Sequence, residues 1–173
     1  RHLLPLMRIL AIDPGLSGAV VRFSDVSGVV EARRDFKRLA DLSRAIVDLS
    51  DGCEAAVVEL VSSRTGQGVK SIFSFGRATG VAFGALYTTH LTDKIYEVPP
   101  QVWKNWWRTM ADVQTPEVDS RDVVRRVYPQ HTALVSRVKD HNTADAILLA
   151  AYAAHAHNSG ELRSHRKVDA DKF

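Results

Sequence analysis

Four side chains able to ligate a hard metal ion stand at marked places in the sequence: Asp13, Glu59, His141 and Asp145. Asp13 closes the apolar run Arg8-Ile9-Leu10-Ala11-Ile12, and Glu59 lies near the end of a second run, Ala55 to Leu60. His141 and Asp145 are four residues apart at the head of the apolar stretch Ala146 to Ala154, so on a helix they project from one face. A carboxylate ending a buried strand is costly to desolvate and needs a cation, hydrogen-bond donors or a raised pKa. Oxygen ligands with one imidazole suit magnesium or manganese better than structural zinc. Two such ions about 4 Å apart can polarise a phosphodiester, activate an attacking water and stabilise the departing oxygen. Taken singly, Asp13 could cap the Pro14-Gly15 turn, and Glu59 could simply emerge into solvent. The same acids could also serve an ATPase or another phosphoryl-transfer enzyme.

The elements that must position these groups follow from periodicity. Arg8 to Ile12 reads as a central strand ended by Pro14-Gly15, with Ala19 to Phe23 as its hairpin partner and Val29 to Arg33 as a third strand. Leu39, Leu42, Ile46 and Leu49 recur at helical spacing up to Gly52. The run Ala55 to Leu60 after that helix is expected to lie parallel to the first strand, which brings Glu59 beside Asp13. Val61 to Lys70 reads as a basic, glycine-rich loop. From Ser71 to Tyr87 the pattern is helical, with Gly76, Gly80 and Gly84 on one face. An interior helical glycine costs about 1 kcal/mol against alanine, so the stripe needs close approach of another backbone. Packing within the chain is the default, and the matching helix of a second subunit the alternative. Lys94 to Val98 makes a further strand, and Trp103 to Arg108 a short helix mixing aromatic and basic residues, as core coverage or as a nucleic-acid contact. Thr115-Pro116-Glu117 reads as a helix start, opening a segment that carries Arg121 and Arg125 and stops before Pro129.

The chain of 173 residues, 45% hydrophobic, is the right size for one domain, expected over 7–158. Residues 1–6, before Met7, are an extension or remnant, and residues 159–173 are expected as a polar, frayed tail. The net charge of +3 permits a nucleic-acid partner without demanding one. One cysteine, Cys53, excludes an intramolecular disulfide and a cysteine zinc cage and fits a reducing compartment. No apolar run reaches the roughly 18 residues that span a bilayer, so a soluble, intracellular protein is expected.

These pieces, in order, resemble the RuvC-like Holliday junction resolvases of the ribonuclease H-like superfamily. The resemblance rests on Ile12-Asp13-Pro14-Gly15-Leu16-Ser17-Gly18-Ala19, Val58-Glu59, Gly66-Gln67-Gly68 leading to Phe73-Ser74-Phe75-Gly76-Arg77, Pro99-Pro100 with Trp103-Lys104, Asp119-Ser120-Arg121, and Lys139-Asp140-His141 with Ala144-Asp145-Ala146. The last form is most similar to plant chloroplast and to phage and bacterial RuvC-like resolvases. The resemblance implies an α/β, ribonuclease H-like fold with a mixed five-stranded sheet flanked by helices. It also implies a homodimer that resolves four-way DNA junctions by paired symmetric nicks, leaving 5′-phosphate and 3′-hydroxyl ends. Asp13, Glu59, His141 and Asp145 would hold two Mg2+ ions, with Mn2+ able to substitute. Asn142 stands three residues before Asp145, where the bacterial pattern has a ligand, so His141 is the better match. Asp140 could be a ligand, a partner orienting His141 or a helix cap, the last two being favoured. Ser62, Arg64, Gln67, Lys70, Phe73, Arg77, Lys104, Arg121 and Arg125 are the implied DNA contacts, and Gly76, Gly80 and Gly84 the implied dimer face. A junction binder without catalysis and a looser branched-DNA or RNA-strand nuclease are the alternatives.

Overall fold

The computed structural model of the chain describes residues 7–15, 17–60, 68–112 and 119–168. Three antiparallel strands come first: β1 (Arg8–Asp13), β2 (Gly18–Ser24) and β3 (Val29–Phe36). Helix α1 (Leu39–Ser50) then returns the chain to β4 (Ala55–Glu59), which pairs parallel with β1. Helix α2 (Val69–Leu86) leads to β5 (Ile95–Val98), parallel to β4. Helices α3 (Pro100–Met110), α4 (Ser120–Val127) and α5 (His141–Asn158) follow, with 3-10 turns over Pro129–Val135 and Val138–Asp140. The sheet order is β3-β2-β1-β4-β5, the mixed five-stranded sheet expected, and a two-residue strand β6 (Arg166–Lys167) adds an antiparallel sixth at the β5 edge.

Strand alternation divides the core. Ile9, Ala11, Val21, Phe23, Ala55 and Val57 face one layer with α3, α4 and α5. Leu10, Ile12, Val20, Ala56 and Val58 face the other, with α1 and α2. Helix α5 is buried on nearly every side from Thr143 to Ala156, and alanines supply seven of the buried positions, which lets it sit close to the sheet and to α4.

Three expectations need correction. The chain after Gly160 is not a frayed tail as far as residue 168: Leu162 and Val168 are buried, and the main chain of Val168 donates to Ile95. Two apolar side chains in a polar stretch were enough to dock it. The helix expected from Thr115 begins at Ser120, with Asp119 as the cap accepting from the Arg121 amide, while Thr115, Pro116 and Glu117 lie outside the described residues. The glycine stripe of α2 packs against no other part of the described chain, since a Cβ at Gly76, Gly80 or Gly84 would meet nothing within 4 Å among the described residues.

Candidate functional site

The turn after β1 is built for close approach. A Cβ on Gly18 would stand 2.0 Å from the Asp13 carbonyl oxygen and 2.5 Å from the Phe36 ring, and one on Gly15 would stand 2.8 Å from the Ser17 carbonyl oxygen. Only glycine leaves space for the chain to reverse so tightly beside Asp13.

Strand alternation then aims the acids. Asp13 continues the Ile9, Ala11 face of β1, and Glu59 continues the Ala55, Val57 face of β4. Because Ile12 pairs with Val58, the two acids follow at the adjacent ends of parallel strands, on the face that α5 covers. Asp145, one turn into α5, completes a group of three carboxylates. Burial first, then the charges of Glu59 and Asp145, push the Asp13 carboxyl well above the usual carboxylate range. The nearby Lys104 ammonium and a hydrogen bond from the Gly15 backbone oppose that rise.

Each of the other two acids has its own holder. The indole N–H of Trp103 donates to Glu59 Oε2 at 3.0 Å. The Ser120 hydroxyl donates to Asp145 Oδ1, and Lys104 Nζ lies 3.6 Å from Asp145 Oδ2. The same ammonium sits over the Trp103 ring, 4.9 Å from its centroid. Lys104, expected as an outlying phosphate contact, is thus part of the carboxylate cluster. The aromatic and basic stretch on α3 resolves in the same way: Trp103 and Trp107 are core residues, and the Trp107 N–H donates to the Leu148 carbonyl at 2.8 Å. Ser120 was missed as a supporting residue. Its only signal was its place in Asp119-Ser120-Arg121.

His141 opens α5 at the surface with Nδ1 3.3 Å from the Val138 carbonyl oxygen, one turn before Asp145. Among the described residues no three His, Cys, Asp or Glu side chains close around one point. The donor chemistry nonetheless fits a divalent cation, for Asp13, Glu59 and Asp145 are hard oxygen donors, and burial, then the charges of the other two, raises the Asp13 pKa. Asp13, Glu59 and Asp145 are the residues brought together, and His141 stands one helical turn before Asp145.

Asp140 neither orients His141 nor caps α5 by its side chain. It is buried, accepts from the Arg137 amide at 2.8 Å and pairs with the Arg137 guanidinium at 2.7 Å, which holds its carboxyl below the usual range. It closes the 3-10 turn before α5. Arg121 is tied to Asp119, and Arg125 pairs with Asp122 at 2.6 Å while donating to the Val135 carbonyl at 2.7 Å. Both arginines, expected on DNA, are engaged in holding α4 and the following turn. Lys70, Phe73 and Arg77 are exposed on α2. Ser62, Arg64 and Gln67 lie outside the described residues.

The fold is ribonuclease H-like, similar to that of two solved structures. Thermus thermophilus RuvC, solved in complex with a Holliday junction substrate, is similar with a TM-score of 0.63 at 15% identity, over 94% of this chain and 99% of that one. The yeast mitochondrial Holliday junction resolvase Ydc2 is similar with a TM-score of 0.58 at 14% identity, over 94% of this chain and 82% of that one. No family model and no curated protein sequence matches the chain.

Proposed function

We propose that this protein is a metal-dependent endonuclease that resolves four-way DNA junctions by paired, symmetric nicks as a homodimer. The observation that carries the reading is the carboxylate group at the ends of β1 and β4, with Asp145 of α5 beside it, on a fold shared with two solved resolvases. Asp13, Glu59 and Asp145, with His141 as the fourth ligand, would hold two Mg2+ or Mn2+ ions. Bound there, the ions would supply the Lewis acidity that polarises a phosphodiester and makes an attacking water more acidic.

The chain's own groups supply the rest. Trp103 fixes one Glu59 oxygen, and Ser120 fixes one Asp145 oxygen, so each carboxylate is held in one orientation. Lys104 neutralises part of the carboxylate charge and remains able to swing from Asp145 to an arriving phosphate. Two cuts on opposing strands require two sites, and the open glycine face of α2, flanked by exposed Val69, Ile72 and Phe73, is the surface through which a second copy would supply the other. Lys70, Phe73 and Arg77, exposed on α2, would then contact the junction DNA, and Ser62, Arg64 and Gln67 remain candidate contacts by sequence alone. No described helix is long and apolar enough to cross a membrane, and a DNA-containing compartment is the expected site of action.

The test is to incubate the protein with a synthetic four-way junction and Mg2+, with flap, duplex and RNA–DNA hybrid substrates in parallel. Symmetric nicks specific to the junction, abolished in Asp13→Asn without loss of junction binding, are expected. Binding without nicking, in Mn2+ as well as Mg2+, would instead leave an architectural junction binder.

A further inference from the structure

An open cleft of about 720 Å³ is bounded by the residues after β3, by Ser17 and Gly18 of the turn after β1 and by the turn leading into α5. Strands β1, β3, β4 and β5 all end on one edge of the sheet, because they run in one direction and only β2 and β6, among the described strands, run against them. Along that edge the chain leaving β3 carries Lys37 and Arg38, the centre carries Asp13 and Glu59, and α3 beyond β5 brings Lys104. Neighbouring strands are about 4.8 Å apart, so the end of β3 lies roughly 10 Å from that of β1.

The cleft's charges are sorted. Asp41 is held by Arg38 at 2.7 Å and Asp140 by Arg137 at 2.7 Å. Asp35 accepts from the Thr143 hydroxyl at 2.6 Å and lies 3.5 Å from Arg33. Lys37 and Lys139, on opposite walls, are exposed and have no ion pair among the described residues. The cleft floor is anchored to the catalytic turn, as the Asn142 amide donates to the Ser17 carbonyl oxygen at 2.6 Å. Positive charge along a groove bordered by the turn that follows Asp13 suits a chain of phosphates more than any neutral or cationic ligand.

We propose that this cleft, with Lys37 on one wall and Lys139 on the other, is a backbone-anchoring site for the DNA arm that leaves the carboxylates on the β3 side. The inference rests on the nuclease reading for the direction of the DNA, but its contacts can be measured without cleavage. Phosphates bound between the walls would release counterions, so the two lysines contribute to affinity through salt-dependent contacts.

The experiment measures binding of the full chain to a four-way junction and to linear duplex over a range of salt, in chelator, with nicking assayed separately. For Lys37→Ala/Lys139→Ala, affinity is expected to fall on both DNAs, and the slope of log affinity against log salt to become shallower by roughly 2. Lys37→Arg/Lys139→Arg should restore both. Both lysines are exposed, so a thermal melt matching wild type separates lost contacts from lost folding. An unchanged affinity and slope in the alanine pair overturns the proposal. A shallower slope in a protein that never nicks would keep the cleft and remove the resolvase reading. Failure of the wild-type protein to bind either DNA overturns both.

Discussion

Replacing Gly76, Gly80 and Gly84 together by alanine separates the stability of one copy from the association of two. In the folded chain a Cβ at each position meets nothing within 4 Å, so no steric penalty is incurred. Each exchange gains about 1 kcal/mol of helix propensity, or roughly 3 kcal/mol for the three. For a chain of this size 1 kcal/mol moves Tm by about 2–4 °C, so the variant should melt roughly 6–12 °C higher under conditions where it is monomeric. Dimer formation should respond in the opposite sense, because three methyl groups hold apart the backbones that a glycine face brings together. Sedimentation velocity across a concentration series, paired with calorimetric melts at the lowest concentration, reads both effects. Wild-type dimerisation retained in the triple variant would remove α2 as the interface. A lower monomer Tm would refute the assignment of open space around the stripe. Exposed Val69, Ile72 and Phe73 continue the same surface, at 83%, 40% and 68% exposure, and give the helix apolar area to bury against a partner.

Two further outcomes follow from the site. Because the folded-state pKa of Asp13 lies above its ordinary value, the protonated acid favours the fold at low pH, and that contribution is lost as pH rises through the folded value. In chelator, wild type should therefore lose thermal stability relative to Asp13→Asn between acidic and mildly alkaline pH, and parallel melting curves for the two proteins would contradict this. Trp103→Phe removes the donor to Glu59 while keeping an aromatic ring in the core, at a cost of about 1.5–3 kcal/mol for a hydrogen bond to a charged group. The Mn2+ concentration for half-maximal nicking should rise by about 10- to 100-fold with metal-free junction binding unchanged, and an unshifted metal midpoint would exclude Trp103 as a positioning residue.

The acid-bearing strands were legible because period-2 alternation is local: the residues two and four before Asp13, and two and four before Glu59, already declare which face each acid shares. The parallel pairing of β1 with β4 followed from the intervening helix, and their common edge from that pairing. The sequence also marked His141 and Asp145 as one turn apart. What it could not assign was the partner of each charge. Lys104 meets Asp145 across 41 positions and Trp103 meets Glu59 across 44, contacts made only when α3 packs beside α5 and over the end of β4. Asp140, Arg121 and Arg125 could each have faced a ligand, yet each found an opposite charge two or three residues away, where little chain entropy opposes pairing. The glycine stripe shows the same division. Its spacing announced a face where something must come close, and only the packed chain left that face open to a second molecule.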